Sequence, residues 1–429
     1  MFVHVALDDA DSHYGGCTTY VTYRVVKDLL RRGFSLAGLP ALVRLNPYVP
    51  FKTRGNAATR FTLVVEDESR VCDVVDHVVS LVCEYSEHRG KASPGVAVLV
   101  TRSLEVPEVL RWLYLKAIRD VVTLDIVSEV CGVVGVKLFG GKGRVGAAAA
   151  LGVSFDDATY ELLVYSDPSK KRNVRLDLSY VELLDWLTHP LTFANVDLED
   201  EKILISPAGP DPVLVGVRGD SPIHVVLFVS SLLPYIGDVV EGWLLYKTNQ
   251  ATELHVDHLP PRSYTYMPSR DVGLVRSVER TRARHVRVVT NKDKLFVYRH
   301  LGKIAAVLED SIGLVVEWWG GRKLDSDGYY TYVEGLRVLS SRLVEVRNPR
   351  CPKCGARLES CGRGRLRCRR CGYIIEKLVR ELHAVKLRMR KLLSLPKLSE
   401  HRHLMKPTSR IGLEGLALEF PEPPPLWIV

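Results

Sequence analysis

The 429-residue sequence has no uninterrupted apolar run of the roughly 18–20 residues that a membrane-spanning helix needs. Its longest candidate, around residues 223–233, stops at Pro234. Near the N-terminus, Asp8, Asp9 and Asp11 stand where a signal peptide would need its apolar stretch. These absences exclude an integral membrane protein and predict a soluble, cytoplasmic one.

The sequence also has no GxxxxGK[ST] phosphate-binding loop, so a Walker-type ATPase is not expected. Gly141, Gly143 and Gly146 match the glycine spacing of a dinucleotide-binding turn, and Asp167 follows where such a fold places an acidic residue. A lone match of this kind is weak evidence, and the helix that would follow it is short. A Rossmann-type NAD site is therefore the lesser interpretation of these glycines.

A disulfide framework is absent as well, because the nine cysteines are odd in number and most are scattered. Two pairs form the exception, CPKC and CRRC, which have the spacing of a tetrahedral zinc site. The predicted zinc ligands are Cys351, Cys354, Cys368 and Cys371. Four protein ligands leave no position for water, so we expect the zinc to be structural.

The charge is divided unevenly along the chain. The total is +9, but residues 1–260 carry −8 and residues 261–429 carry +17. This asymmetry suggests a small-molecule or catalytic half followed by a nucleic-acid-binding half. Five arginines beside the zinc ligands are predicted to contact a phosphate backbone, although a merely solvated basic face is the alternative. They are Arg363, Arg365, Arg367, Arg369 and Arg370.

Hydrophobic periodicity predicts a multidomain α+β protein. A strand over residues 2–7 precedes a helix over residues 18–32, and another strand is expected at residues 133–139. Five short strands between residues 269 and 343 indicate a small β-barrel of OB type, with an unspecified β-sandwich as the alternative. A basic helix is expected over residues 377–393.

The acidic cluster Asp8, Asp9 and Asp11 follows the first predicted strand. Carboxylates at the end of a strand are well placed to hold Mg²⁺, a hard cation that prefers oxygen ligands. Thr18 and Thr19 begin the next helix, where free backbone N–H groups attract phosphate. The pattern predicts a nucleotide-triphosphate site, and an ordinary acidic turn with a threonine helix cap is the equal alternative.

Further candidate phosphate ligands lie in turns and basic loops. Gly15 and Gly16 form the turn before the predicted helix, and the loop over residues 46–56 carries Lys52 and Arg54 among turn-forming residues. Lys142 stands within the glycine-rich turn described above. These residues suit contacts with phosphate or a nucleobase, and a plain structural loop is the alternative for residues 46–56.

Several segments together resemble one known family, the archaeal tRNA(Ile) 2-agmatinylcytidine synthetases, the TiaS family. The resemblance runs in order through nearly the whole chain and includes the zinc-ligand region. Its segments are LDDADSHYGGCTTY at 7–20, LVRLNPYVPFKTRGNAA at 42–58, GGKGRVGAAAALG at 140–152, FDDATYELLVY at 155–165, PAGPDPVLVGVRG at 207–219, YKTNQATELH at 246–255 and HLMKP at 403–407.

The resemblance implies an architecture and an activity. The expected domains are a kinase-like α/β domain (1–123), a ferredoxin-like domain (124–262), an OB-fold β-barrel (263–345), a zinc ribbon with the basic helix (346–395) and a C-terminal tail (396–429). The implied reaction attaches agmatine to C2 of the wobble cytidine of the CAU-anticodon isoleucine tRNA and converts ATP to AMP. The modified tRNA then reads AUA as isoleucine.

The resemblance also implies roles for individual residues. Asp8, Asp9 and Asp11 would hold Mg²⁺ and the triphosphate of ATP, and Thr18 matches the threonine that becomes autophosphorylated. Ala10 departs from the family pattern, in which a threonine occupies this position. An acidic wall for the cationic agmatine is expected, and its candidates are Asp156, Asp157 and Asp211.

Two other functions remain open at this stage. The acidic cluster would also serve a Mg²⁺-dependent phosphoesterase or nuclease that acts on RNA. A non-enzymatic tRNA-binding protein built on an OB barrel and a zinc ribbon would share the basic C-terminal half. The three functions differ in whether ATP and agmatine are consumed and whether the RNA chain is cut.

Overall fold

The computed structural model describes residues 1–53, 55–86, 92–167, 174–207, 209–236, 239–256, 264–309, 311–339, 342–362, 364–376, 381–386, 393–415 and 427–429. The described residues fall into two compact units. Unit 1 holds those of 1–257, 266–268 and 397–429, and unit 2 holds those of 258–265 and 269–396. No helix in the described part is long and apolar enough to cross a membrane.

Unit 1 alternates strands and helices. Its elements are β1 (Phe2–Asp8), α1 (Thr18–Arg31), β2 (Ser35–Leu36), β3 (Ala41–Arg44), β4 (Ala57–Val64), α2 (Val71–Tyr85), β5 (Gly95–Thr101), α3 (Glu108–Arg119), α4 (Leu124–Val134), β6 (Lys137–Gly140), α5 (Arg144–Leu151), β7 (Thr159–Ser166), α6 (Leu178–Thr188), β8 (Thr192–Phe193), β9 (Val196–Asp197), β10 (Lys202–Ile203), β11 (Val213–Gly219), α7 (Pro222–Ile236) and β12 (Val240–Thr248).

One large sheet runs through unit 1 in the order β6-β5-β1-β4-β3-β12-β7-β11-β8, with β2 paired to β4. The predicted first strand and first helix are confirmed. Around β1 the sheet is antiparallel, because both β4 and β5 run opposite to it. An antiparallel centre is not the parallel sheet of a Rossmann fold, so the glycine triplet does not mark an NAD site of that type.

The two halves of this sheet meet at β3 and β12, which run parallel and share the pairs Lys247↔Ala41 and Thr248↔Leu42. The side chain of Asn249 extends the pairing. Its Oδ1 accepts from the Arg44 backbone N–H at 2.8 Å, and its Nδ2 donates to the Arg44 carbonyl at 2.9 Å. Sheet pairing therefore continues across the joint from one half to the other.

The strand predicted at residues 133–139 is wrong at its start, because α4 continues to Val134 and β6 begins only at Lys137. The Thr123 hydroxyl caps the start of α4, and Gly135 ends it in a left-handed conformation with φ of 75°. A valine-rich run fits a helix or a strand equally well by periodicity. The caps on either side decide in favour of the helix.

Unit 2 is mainly β-structure. Its elements are β13 (Pro268–Arg280), β14 (Val286–Thr290), β15 (Lys294–Val297), α8 (Gly302–Glu309), β16 (Val315–Asp325), β17 (Gly328–Val338), β18 (Arg342–Arg347), β19 (Glu359–Ser360), β20 (Leu366–Arg367), β21 (Ile374–Ile375), β22 (Glu381–Lys386) and β23 (Leu393–Ser394).

The predicted barrel is confirmed as a closed five-stranded structure. Strands β15-β14-β13-β16-β17 pair in that order, and a parallel pairing of β15 with β17 closes the ring. Trp318 and Trp319 on β16 are both buried, at 0% and 3% exposure, so they fill the core and are not a surface for stacking bases.

The predicted basic helix over residues 377–393 is wrong where the structure describes it. Residues 381–386 form β22, which pairs with β18 in antiparallel register from Arg342↔Lys386 to Arg347↔Glu381. Pairing with a distant segment overrides the local helical pattern, as is common for strands. The rest of the predicted helix, apart from residue 393 in β23, lies outside the described residues.

The segment predicted as a C-terminal tail packs within unit 1. Arg410 is fully buried and gives all five of its N–H groups to partners. It donates to Asp157 at 2.5 and 2.9 Å, to Asp220 at 2.8 Å, and to the carbonyls of Ala158 and Ala251. This ion cluster holds the segment around Arg410 against unit 1.

Substituting Arg410→Ala should lower the free energy of unfolding by about 3–5 kcal/mol, because two carboxylates would lose their buried partner. Arg32→Ala is the matched control, since its ion pair with Asp28 lies on the surface and is expected to contribute less than about 1 kcal/mol. Urea unfolding of both variants measures the difference. Equal urea midpoints for the two variants would contradict a stabilising role of the buried Arg410 ion cluster.

Candidate functional site

A cavity of about 610 Å³ lies within unit 1. It is lined by the end of β1, the start of α1, the loop after β3, the start of α5, residues of β7 and β11, and the C-terminal segment. These elements come from both halves of the large sheet. The cavity therefore forms only when the halves are joined through β3 and β12.

The acidic cluster occupies one wall of the cavity. Asp9 adopts a left-handed conformation with φ of 56°, and its N–H donates to Asp8 Oδ1 at 2.7 Å. The Thr53 hydroxyl donates to Asp9 Oδ1 at 3.1 Å. Thr18, the first residue of α1, donates from its hydroxyl to Asp11 Oδ1 at 3.3 Å. The predicted catalytic residues thus line the same cavity, in two adjacent hydrogen-bonded pairs.

The electrostatics of this cluster favour a bound cation. Burial and the neighbouring carboxylates raise the pKa of Asp8 well above its ordinary value. Burial also raises the pKa of Asp9 to about 6, although Thr53 and Lys142 oppose the rise. Burial and mutual repulsion therefore make the negative charge of these carboxylates unfavourable, and a divalent cation would offset both effects.

The oxygens of the three aspartates are not gathered into one tight shell. Within the described part of the chain, groups of three or more acidic, histidine or cysteine ligands closing to 4.8 Å are limited to the four cysteines. The aspartates are thus chemically suited to Mg²⁺, but a bound ion would have to draw them together or use fewer of them.

The glycine triplet lets α5 approach the acidic cluster. A Cβ atom on Gly146 would lie 1.8 Å from Asp8 Oδ2, and one on Gly143 would lie 2.3 Å from the Asp8 carbonyl oxygen. Only glycine fits at these two positions without a shift of the Asp8 loop. The spacing that matched a dinucleotide turn therefore serves close packing around Asp8.

A second polar group, which no local sequence pattern indicated, lines the cavity. Glu161 on β7 is buried between Arg218, at 2.9 Å, and Arg44, at 3.7 Å. It also accepts a hydrogen bond from Gln250, whose Oε1 lies 3.0 Å from His403 Nδ1. All five residues lie in the segments that carry the family resemblance. That resemblance was the one feature of the sequence from which this group could have been predicted.

Opposite charges hold this group in its ionised form. Burial alone would raise the pKa of Glu161, but the guanidinium groups of Arg218 and Arg44 keep it below its ordinary value. Burial lowers the pKa of Arg44 to about 10. Glu161 is therefore a carboxylate, and the two arginines outnumber it by one positive charge.

The remaining predicted site residues divide into two sets. Thr19, Lys52, Lys142 and Asp211 line the cavity. Gly15 and Gly16 stand in the turn before α1 with φ of 147° and 78°, outside the lining. Arg54 lies outside the described residues.

Asp156 and Asp157 also lie away from the cavity lining. Asp156 is largely exposed and pairs with Arg111 at 3.1 Å, while Asp157 is held by Arg410. Of the three candidates for the agmatine wall, the cavity includes Asp211.

Unit 2 contains the cysteine cluster. The four predicted sulfurs lie within 4.8 Å of one another, a set of thiolates suited to tetrahedral zinc. Among the predicted arginines, Arg367, Arg369 and Arg370 are exposed, and Arg365 is half-buried. Arg363 lies outside the described residues.

Three family models match successive parts of the chain. The TiaS TCKD domain matches residues 4–65, the TiaS FLD domain matches residues 141–255, and the TiaS C-terminal zinc ribbon domain matches residues 348–383. The first two contain most of the cavity lining, and the third contains the four cysteines.

Whole proteins and solved structures agree with these matches. The chain is 38% identical to the isoleucine-tRNA 2-agmatinylcytidine synthetase TiaS of Caldivirga maquilingensis, covering 100% of both. It is 29% identical, at a TM-score of 0.81, to a crystal structure of TiaS with its isoleucine tRNA and ATP, covering 97% of this chain and 99% of that one. A TiaS complex with tRNA, AMPCPP and agmatine is 28% identical at a TM-score of 0.78, with coverage of 97% and 98%. The chain belongs to the TiaS family.

Proposed function

We propose that the protein attaches agmatine to C2 of the wobble cytidine in the CAU-anticodon isoleucine tRNA, at the expense of ATP. The observation that carries the proposal is the cavity of unit 1, whose lining brings together Asp8, Asp9, Asp11 and Thr18 in two adjacent hydrogen-bonded pairs. The TiaS complexes with tRNA, ATP, AMPCPP and agmatine support the same set of substrates.

The chemistry requires activation of a poor electrophile. The C2 carbonyl oxygen of cytosine takes a phosphoryl group from ATP, which turns that oxygen into a leaving group. The primary amine of agmatine then forms the new C–N bond, and the C2–O bond breaks with release of phosphate. The amine loses its proton in this step. Because the phosphoryl transfer breaks one phosphoanhydride bond of ATP, water must break the other for ATP to end as AMP and phosphates.

The acidic cluster would bind the triphosphate of ATP through Mg²⁺. When bound, this ion would neutralise charge on the phosphoryl groups. The negative charge of Asp8 and Asp9 is at most partly offset by neighbouring positive charge. These two residues are therefore the first candidates to hold the magnesium ion. Lys142 and Lys52 line the same cavity and would contact phosphate directly.

Thr18 is placed as a phosphate acceptor. Its hydroxyl contacts Asp11 and accepts a hydrogen bond from the Ala10 N–H at 3.2 Å, so its oxygen is oriented by both sides of the loop. It also begins α1, where backbone N–H groups and the helix dipole favour negative charge. These contacts support the autophosphorylation that the family resemblance implies for this residue.

Agmatine needs an acidic partner because both of its ends carry positive charge. Asp211 lines the cavity, whereas Asp156 and Asp157 are paired with arginines away from it. We take Asp211 as the first candidate for the agmatine wall. Asp156 and Asp157 stay as the weaker candidates.

The C-terminal half would hold the tRNA. The closed barrel is proposed to be an OB fold, and the cysteine cluster to bind structural zinc. The exposed arginines beside the cluster would contact the phosphate backbone. The N-terminal part is proposed to be a kinase-like domain followed by a ferredoxin-like domain, with boundaries as predicted from the sequence.

Substituting Thr18→Ala or Asp9→Asn should reduce product formation roughly 100-fold or more, because phosphoryl transfer loses an oriented group. The dissociation constant for tRNA should stay within about twofold, since the tRNA body is held elsewhere. Asp76→Asn, which makes the same change at an exposed residue of α2 outside the cavity lining, is the control. Unchanged turnover in Thr18→Ala and Asp9→Asn would refute the assigned site, and cleaved tRNA in the wild type would favour a nuclease.

Substituting Asp211→Asn should raise the KM for agmatine by roughly 10–100-fold, because a charged hydrogen bond is lost. The KM for ATP should not change. Asp156→Asn is the matched control and should leave both constants unchanged, because Asp156 faces solvent beside Arg111. Steady-state kinetics with each substrate varied in turn decides between Asp211 and Asp156.

A further inference from the structure

A chain of hydrogen bonds determines which nitrogen of His403 carries its proton. It starts at Glu161, which is ionised between Arg44 and Arg218 and can only accept hydrogen bonds. The amide nitrogen of Gln250 must therefore face Glu161. The amide oxygen of Gln250 then faces His403.

His403 is consequently held in one tautomer. Because the Gln250 oxygen accepts at 3.0 Å, His403 Nδ1 must be the protonated nitrogen that donates to it. Nε2 is then left with a lone pair and can only accept. Burial and the nearby charges of Arg44 and Arg218 lower the pKa of His403 well below its ordinary value, so the ring stays neutral.

The Nε2 atom is available to a ligand. His403 lines the cavity, and the structure gives Nε2 no hydrogen-bond partner among the residues it describes. A Cβ atom on Gly55 would lie 3.1 Å from Nε2 and 2.7 Å from Arg44 Nη1. The glycine therefore lets the loop after β3 pass without crowding this acceptor.

The surrounding charge restricts what His403 can bind. Arg44 and Arg218 exceed Glu161 by one positive charge, so the ammonium and guanidinium ends of agmatine are disfavoured beside Nε2. A neutral N–H donor is favoured instead. Among the substrates of the proposed function, the neutral N–H donors of this kind are the exocyclic amino groups of nucleobases.

We propose that His403 Nε2 accepts a hydrogen bond from the exocyclic amino group of a nucleobase bound in the cavity and thereby determines base specificity. This inference rests on the proposed function. The amino group is that of cytosine in the tRNA or that of adenine in ATP. Uracil and hypoxanthine place a carbonyl oxygen at the same position, which would face the Nε2 lone pair unfavourably.

The test compares binding ratios in the full-length protein. The cytidine ratio is the affinity for tRNA with a wobble cytidine divided by the affinity for the same tRNA with a wobble uridine. The ATP ratio is the affinity for ATP divided by the affinity for ITP. His403→Asn places an amide nitrogen where Nδ1 was and can still donate to Gln250, but it removes the acceptor. One ratio should fall about tenfold, the value of one neutral hydrogen bond.

The outcomes separate the two bases. A fall in the cytidine ratio assigns cytosine, and a fall in the ATP ratio assigns adenine. His403→Gln, which can present an amide oxygen near the Nε2 position, should restore part of the lost ratio. Gln250→Met leaves His403 in place but releases its tautomer, and it should lower the same ratio even if His403→Asn fails to fold.

Unchanged values of both ratios in the variants would overturn the inference. A general structural defect would lower all affinities together and leave both ratios unchanged, so it would not count as support. Failure of the proposed function would look different. In that case the wild type would form no agmatine adduct on the tRNA, whereas the binding ratios are measured without turnover.

Discussion

The short parallel pairing of β3 with β12 is the contact on which the site depends. Two residue pairs and the side chain of Asn249 join two antiparallel half-sheets into one. Asp8 stands on one side of this joint and Glu161 on the other. The cavity between them exists because the halves are joined, so the hydrogen bonds of this joint determine the geometry of the site.

The two walls of the cavity have opposite electrostatic character. One wall holds crowded carboxylates whose negative charge Lys142 only partly offsets, and the other holds Arg44 and Arg218 with the single carboxylate of Glu161. A magnesium-bound triphosphate suits the first wall, and the cationic agmatine is proposed to bind beside Asp211. A neutral base suits the second. This division explains how substrates of unlike charge can share a cavity of about 610 Å³.

Local patterns predicted much of the structure. The zinc ligands, the first strand and helix, and the acidic cluster each depend on residues close in sequence, and they could be predicted from spacing. The failures involve distant partners. Residues 381–386 form a strand because β18 pairs with them, and no local pattern shows that pairing. Arg44, Glu161 and His403 were missed because they meet only across the joined sheet and the packed C-terminal segment.

The most direct test of the account incubates the wild-type protein with ATP, agmatine and the CAU-anticodon isoleucine tRNA whose wobble cytidine carries ¹⁸O at C2. Mass spectrometry then follows both the tRNA and the released phosphate. If the proposed reaction takes place, the wobble cytidine carries agmatine and no label, and the label is recovered in inorganic phosphate. Label found in AMP, or a cut tRNA without the adduct, would contradict it.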